Sequence, residues 1–171
     1  MSLICETPRT RIHRITTNDA PFFLDLLNSP AWLRYIGNRD IPDVAAAAEY
    51  IRSRLLRTYE EHGFGYYLVR LHDGTPIGTC GFLKKPHLEN PDFGFAFLPS
   101  YQGQGYAQES ATAILAYGIR EFRFLTLDAE TLPENQASIR LLKALSFHEL
   151  NSNTAPKTTN ETVLFRRQTQ V

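Results

Sequence analysis

Hydrophobic and polar residues follow one another along this chain with two different periods, which predicts helical segments at first and extended segments later. The first residues, which include Cys5, are expected to be frayed, and a short strand is predicted over Arg9–Ile15. Thr17 is a favourable N-cap residue and predicts a helix that runs to about Leu27. Ser29-Pro30 predicts a second short helix, since proline is tolerated at the first helical position.

The longest helical pattern extends from about Asp43 to Glu61. Its apolar residues recur three or four positions apart, which places them on one face of a helix. Gly63 follows at once, and glycine is the residue that most often ends a helix. One continuous amphipathic helix is therefore predicted here.

After residue 63 the period changes to two, which predicts three strands in succession. Tyr67, Val69 and Leu71 alternate with other residues, and Asp73-Gly74 is a typical hairpin turn. The return strand covers residues 77–83, and phenylalanines at every second position mark the next strand over residues 93–97. Because the connections are short, these strands should be antiparallel.

The rest of the chain alternates strands and helices around a glycine-rich loop at residues 102–107. The predicted elements are a helix to about Phe122, a strand over Phe124–Glu130, a helix from Pro133 to Leu145, and strands near Phe147–Leu150 and Thr162–Arg166 with a polar loop over Asn151–Asn160 between them. This order predicts a single domain over residues 1–171 with an α+β fold, in which helices flank a mostly antiparallel mixed sheet of about seven strands.

The composition of the chain argues against several classes of partner and site. Eighteen basic and eighteen acidic residues cancel, so a nucleic-acid partner is not expected. The two cysteines, Cys5 and Cys80, are too far apart in sequence for a zinc motif or a disulfide framework, and no metal site is expected. The chain shows no export signal and no apolar run of membrane-spanning length, so we expect a cytoplasmic protein without membrane association.

The segment with the clearest chemistry is the glycine-rich loop between a strand and a helix. Glycines let backbone N–H groups close around an anion, and the N-terminus of the following helix adds its dipole, so a phosphate or pyrophosphate is the natural ligand. A tight turn that needs glycine only for its backbone angles is an equal alternative. A Walker A loop is excluded because Tyr106 follows Gly105, and a dinucleotide fingerprint is disfavoured because position 108 is Gln108.

Two segments carry a family resemblance. Asp92–Ser110 resembles the acetyl-CoA motif of the GNAT superfamily, Arg/Gln-x-x-Gly-x-Gly/Ala, at Gln102, Gly105 and Ala107. Residues 135–147 resemble the Asn-x-x-Ser-x-x-Leu-x-x-x-Leu-Gly-Phe segment of the same family. Residues 6–11 and 28–35 look like the RimJ/RimL-like branch, which acetylates the N-termini of ribosomal proteins.

The resemblance implies an N-acetyltransferase with a GNAT-like three-layer fold and acetyl-CoA as the donor. Backbone N–H groups of the loop would hold its pyrophosphate, Phe97 and Leu98 would hydrogen-bond its pantetheine, and Asn135 and Ser138 would contact its far end near the sulfur. The loop residues concerned are Gln102, Gly103, Gln104, Gly105, Tyr106 and Ala107. The loop carries glutamines at 102 and 104 where many relatives have Arg or Lys, so the phosphates would depend on backbone N–H groups and the helix dipole.

The acceptor would be a primary amine of a protein N-terminus or of a small molecule, and it must lose a proton before it attacks. Asp92 is the first candidate base and Glu130 the second, while Ser138 matches the position that protonates or hydrogen-bonds the leaving thiolate. The acceptor pocket would be walled by aromatic residues, namely Trp32, Tyr35, Phe64 and Tyr66.

Each of these residues also has a purely structural explanation: Asp92 could end a strand, Glu130 could be solvated, Asn135 could cap a helix and aromatics are usually core. A CoA-binding protein without turnover is the alternative from another functional class, and a nucleotide-binding protein is a remote one. The pattern leaves open whether the chain is a monomer or a homodimer. Ser146 stands where the family usually has glycine, which predicts a left-handed backbone conformation there.

Overall fold

The computed structural model describes residues 2–150 and 162–169, and the predicted loop at 151–160 lies outside this part. Eight strands in it form one sheet, in the order β1-β2-β3-β4-β5-β6-β8-β7. They are β1 Leu3–Glu6, β2 Thr10–Arg14, β3 Tyr66–Leu71, β4 Pro76–Leu83, β5 Asp92–Phe97, β6 Thr126–Thr131, β7 His148–Glu149 and β8 Val163–Gln168. The predicted α+β class and the mostly antiparallel mixed sheet are confirmed.

About seven strands were predicted, and the additional one is β1 at the N-terminus. The expectation that this segment is frayed was wrong. Strand β1 pairs antiparallel with β2 and places Cys5 opposite Ile12. Its four residues show no clear alternation of burial, because β1 lies at the edge of the sheet. Backbone pairing with β2, rather than side-chain pattern, fixes this strand.

Helices cover both faces of the sheet. Successive residues of β3 point to opposite faces of the sheet. Tyr67 and Val69 pack in the core cluster that includes residues of the helix after the glycine loop, whereas Leu68 packs in a second cluster with the N-terminal helices. The helices are α1 Ala20–Leu27, α2 Pro30–Tyr35, α3 Val44–Tyr50, α4 Arg57–His62, α5 Tyr106–Phe122 and α6 Gln136–Ala144. No helix within the described residues is long and apolar enough to cross a membrane.

The helical region predicted from Asp43 to Glu61 is present, but it is not a uniform α-helix. A π-helical segment, Ile51–Leu56, joins α3 to α4. The buried side chains are Ala47, Ile51, Leu55 and Tyr59, four residues apart each time. Four residues of α-helix turn about 40° past a full revolution, so a π-helical segment with its wider turn returns these side chains to the same face.

Local capping agrees with the sequence in most places. Gly63 ends α4 with a φ of 78°. Pro30 is the first residue of α2, as predicted. The first helical region differs by one position, since Thr16 is the cap: its N–H donates to the Asp19 carboxylate at 2.7 Å, and a short 3₁₀ turn, Thr17–Asp19, precedes α1.

Ser146 adopts the left-handed conformation that was predicted for it, with a φ of 65°. It follows Leu145, the C-cap of α6. The N–H of Ser146 donates to the Lys143 carbonyl at 3.0 Å, and the N–H of Phe147 donates to the Leu142 carbonyl at 2.9 Å. These two bonds form a Schellman motif, in which glycine is the usual residue at the position of Ser146.

Candidate active site

A cleft opens where strands β5 and β6 diverge. They form the parallel pair among the described strands, with a single register pair, Asp92 opposite Asp128. The Asp128 N–H donates to the Pro91 carbonyl at 2.9 Å. Two residues further along β6, the Glu130 N–H points to the same side but donates to the Asp92 side chain at 3.2 Å. A side chain thus replaces the backbone acceptor, and beyond it a cleft of about 1130 Å³ is lined by residues of both strands.

The backbone of β5 alternates between its two neighbours. The N–H of Leu98, just after the strand, donates to the Ile77 carbonyl at the start of β4 at 2.9 Å. Neighbouring residues of an antiparallel strand point their backbone groups to opposite sides, so Phe95 and Phe97 direct theirs toward the cleft. The predicted pantetheine contact of Leu98 is therefore wrong for its N–H, which is already bonded to Ile77, and Phe97 is the residue whose backbone faces the cleft.

The glycine-rich loop has the geometry of an anion site. Gly103 and Gly105 have φ values of 71° and 83°, while Gln104 between them has a negative φ. Alternating signs of φ turn successive N–H groups to the same side of a loop, which forms a concave anion-binding nest. Helix α5 begins at the next residue and adds its N-terminal N–H groups. These residues fit a diphosphate.

The loop residues do not all face the cleft. Gln102, Gly103, Gly105 and Ala107 line it. Gln102 also donates through Nε2 to the Phe97 carbonyl at 2.9 Å, which ties the loop to the end of β5. The two remaining side chains of the predicted loop, those of Gln104 and Tyr106, are turned away: the first donates to the Ser100 carbonyl at 2.8 Å and the second packs under the Arg9 guanidinium, 4.4 Å from its ring centre.

Helix α6 brings Asn135 and Ser138 to the same cleft. The side-chain oxygen of Asn135 accepts the N–H of Ser138 at 3.2 Å, so Asn135 is the N-cap of the helix. This structural role fixes the backbone of Ser138, a residue that lines the cleft. The predicted contacts of both residues with the donor stay a prediction.

The two candidate bases lie in one ionic cluster. Lys85 Nζ lies 2.9 Å from Asp92 Oδ2 and 2.8 Å from Glu130 Oε2. His87 Nε2 lies 3.0 and 3.1 Å from the two oxygens of Glu130. The Asp92 and Glu130 side chains are only 4% and 8% exposed, so the expected solvated position of Glu130 is ruled out. Lys85 holds β5 and β6 together through their carboxylates.

The cluster separates the acidities of its two carboxyl groups. Burial raises the pKa of Asp92 to about 6, although Lys85 acts against this shift. Burial acts on Glu130 as well, but hydrogen bonds from Lys85 and His87 outweigh it and lower the pKa of Glu130. Burial also disfavours the ammonium of Lys85, yet the charges of Asp92 and Glu130 raise its pKa. Of the two carboxyl groups, Asp92 is thus the one that changes protonation closer to neutral pH.

Aromatic side chains from the N-terminal helices and β3 line the cleft as well. They include Trp32, Tyr35 and Tyr66. The Tyr66 hydroxyl lies against Gly94 of β5, so closely that any Cβ at Gly94 would overlap it. Phe64, by contrast, does not line the cleft, since it packs edge-on against aromatic core residues, namely Phe82, Phe122 and Phe124. Its predicted place in the acceptor wall is therefore wrong.

Sequence reasoning missed Lys85, His87 and Arg9. Lys85 and His87 lie in the connection between β4 and β5, and nothing in the local pattern links them to β6, 43 or more residues away. Arg9 lies before β2 and reaches the glycine loop across 95 residues of sequence. In the ranges 2–150 and 162–169, no group of three or more His, Cys, Asp or Glu side chains could hold a metal ion.

Comparison with known proteins gives a consistent result. Residues 9–148 match the family model described as the acetyltransferase (GNAT) domain. YkkB of Bacillus subtilis is 31% identical over 149 residues, 83% of each chain. An acetyltransferase structure from Agrobacterium tumefaciens superposes with a TM-score of 0.84 at 21% identity and covers 99% of this chain and 95% of that one. RimL, a ribosomal L7/L12 alpha-N-protein acetyltransferase in complex with coenzyme A, has a TM-score of 0.77 at 17% identity, with 98% of each chain covered.

Proposed function

Because this chain belongs to the GNAT acetyltransferase family and is an acetyl-CoA-dependent N-acetyltransferase, we propose that it acetylates a primary amine by direct attack, with Asp92 as the general base. The observation that carries the proposal is the cleft between β5 and β6. The glycine-rich loop, a buried carboxylate and aromatic side chains all line this one cleft. A donor held at Gly103–Gly105 and an acceptor held beside Tyr66 would meet at the divergence of the two strands.

The loop and β5 would bind and orient the donor. The N–H groups around Gly103 and Gly105 would bind the diphosphate, and the backbone of Phe95 and Phe97 would hydrogen-bond the amide-bearing arm. When bound, acetyl-CoA supplies the activated acetyl group as a thioester. The N–H groups of β5 that point into the cleft would polarise a carbonyl placed there.

Asp92 would accept the proton of the acceptor amine. An alkyl ammonium is unreactive, so the amine must be neutral as its nitrogen forms the bond to the acetyl carbon and the carbon–sulfur bond breaks. Asp92 has a pKa raised to about 6 by burial, which keeps it unprotonated at neutral pH while making it a better proton acceptor than an ordinary carboxylate. Lys85 limits this rise, so the base stays ionised.

Ser138 would stabilise the leaving sulfur. Its position in the first turn of α6 is fixed by the Asn135 cap, and it lines the cleft. A hydroxyl is a weak acid, so we assign it a hydrogen bond to the thiolate, which then takes its proton from water. Glu130, bonded to Lys85 and His87, would hold the cluster in place rather than carry the proton.

The acceptor class is proposed as a protein N-terminus, with a small-molecule amine as the second candidate. The similarity to RimL, which by its name acts on an alpha-amino group of ribosomal L7/L12, supports the first. The aromatic wall of Trp32, Tyr35 and Tyr66 supports both, since aromatic side chains bind peptide and organic amines alike.

The test is release of free thiol from acetyl-CoA in the presence of a peptide and amine panel, with acetylated products identified by mass. We expect turnover with at least one primary amine. Asp92→Asn keeps the acceptor for the Glu130 N–H and should lower kcat by about 10²- to 10⁴-fold. Asp25→Asn, the same change at an exposed position of α1, should leave kcat unchanged. Binding of CoA without thiol release from any amine would favour the CoA-binding protein without turnover instead.

A further inference from the structure

Arg9 reaches the glycine-rich loop from a distant part of the chain. Its Nη1 donates to the Gln104 carbonyl at 2.9 Å. Its Nη2 lies 3.1 Å from the position that a Cβ on Gly105 would occupy, and its guanidinium lies over the Tyr106 ring at 4.4 Å from the ring centre. The loop has no basic side chain of its own between residues 102 and 107, so Arg9 is the cation against it.

Arg9 is held in place by Glu109, in the first turns of α5. Arg9 Nε donates to Glu109 Oε2 at 2.7 Å, and the Arg9 backbone N–H donates to Glu109 Oε1 at 2.9 Å. Thr7 also donates to Glu109 Oε1 at 2.6 Å. One carboxylate therefore fixes both the side chain of Arg9 and the turn between β1 and β2 that carries it.

The Gln104 carbonyl lies on the side of the loop opposite the nest. Because φ alternates in sign from Gly103 to Gly105, the N–H groups turn to one side, and the carbonyl of the peptide between Gln104 and Gly105 turns to the other. The acceptor of the Arg9 bond and the N–H of Gly105 belong to that same peptide group. A cation on the oxygen polarises the peptide and makes its N–H a stronger donor.

We propose that Arg9 is a positioning residue for the donor's diphosphate: it locks and polarises the Gln104–Gly105 peptide so that the Gly105 N–H is fixed toward the nest. This inference rests on the proposed function, which places the diphosphate in that nest. Arg9 itself does not line the cleft, so it acts on the diphosphate through the loop. It provides the positive charge that a basic residue within the loop would place directly on the phosphates.

The pair with Glu109 has a second consequence. A carboxylate near the N-terminus of α5 would repel a diphosphate bound there, and Arg9 neutralises it at 2.7 Å. Burial acts to raise the pKa of Glu109, but the hydrogen bonds from Thr7 and Arg9 together outweigh it and lower that pKa. Removing Arg9 therefore frees the loop carbonyl and also exposes an anion to the diphosphate, and both effects weaken binding.

The experiment measures binding of CoA and of pantetheine, which lacks the diphosphate, by calorimetry on the full chain. Arg9→Gln should weaken CoA binding by about 5- to 20-fold, near the lower end of what a charge-assisted hydrogen bond contributes, because Arg9 is half-exposed and acts through the loop; pantetheine binding should be unchanged. Arg11→Gln is the matched control, because the Arg11 side chain is as exposed as that of Arg9 and pairs with a carboxylate, that of Glu6, at 3.1 Å. It should change neither affinity.

Arg9→Lys provides a rescue test, since it keeps the charge but cannot make both the Glu109 and the Gln104 bonds; we expect an affinity for CoA between those of the wild type and Arg9→Gln. Equal CoA binding by the wild type and Arg9→Gln overturns the proposed role of Arg9 but leaves the proposed function intact. Equal weakening of CoA and pantetheine also overturns it, because that result indicates general loosening. Absence of CoA binding by the wild-type chain instead removes the proposed function on which this inference depends.

Discussion

Replacement of Ser146 by glycine should stabilise the protein. Ser146 is exposed, has a φ of 65° and occupies the left-handed position of the Schellman motif that ends α6. The left-handed conformation costs a residue with a Cβ about 1 to 2 kcal/mol, and glycine avoids this cost. Glycine also makes the unfolded chain more flexible, which offsets about 0.4 to 1 kcal/mol of that gain.

With the middle of each range, the net change in the free energy of unfolding is about 0.8 kcal/mol in favour of Ser146→Gly. For a chain of this size it raises Tm by about 1 to 4 °C. Thermal unfolding followed by circular dichroism measures the shift. Ser53→Gly is the matched control, since Ser53 is equally exposed but lies within the π-helical segment, where glycine should lower Tm. A Tm of Ser146→Gly at or below that of the wild type, with Ser53→Gly lowered as expected, would refute the assignment of backbone strain to Ser146.

Two further predictions concern the cleft. Burial raises the pKa of Asp92 to about 6, and the protonated carboxyl cannot accept a proton, so kcat/KM should fall as the pH drops through that value. A pH–rate profile measures this decrease, and Asp92→Asn should not show it. Gly94→Ala places a methyl group on the Tyr66 hydroxyl, so the KM for the amine should rise while the Kd for CoA stays unchanged. Equal effects on both ligands would show that Gly94→Ala disturbs the whole sheet rather than the acceptor side.

The sequence predicted the elements whose own residues determine them. The strands of the central meander show alternation and a turn dipeptide, and Gly74 at that turn has a φ of 92°. The left-handed residue after α6 followed from a single substitution in a family pattern. Strand β1 was not predicted, because an edge strand of four residues carries no periodic burial and is fixed by pairing with β2.

The candidate site was predicted residue by residue, but its connections were predicted only where they are contiguous in sequence. The loop at 102–107 and the two residues Asn135 and Ser138 belong to local motifs, and most of them line the cleft. Asp92 and Glu130 were named as candidate bases, but their meeting at Lys85 could not be predicted, since the three residues come from separate elements that meet only after the sheet forms. Phe64 shows the opposite failure: aromatic character alone does not say which side of the sheet a side chain faces.

The divergence of β5 from β6 gives this sheet an edge in its interior. An outer edge strand is open to any other chain, and proteins usually blunt it to prevent aggregation. Here the backbone of Phe95 and Phe97 faces a cleft that residues of the glycine loop and α6 also line, so other parts of the chain flank this interior edge. Under the proposed function, the amide-bearing arm of the donor would lie along this interior edge in place of a strand, so the sheet would select among thioesters by the arm that carries them.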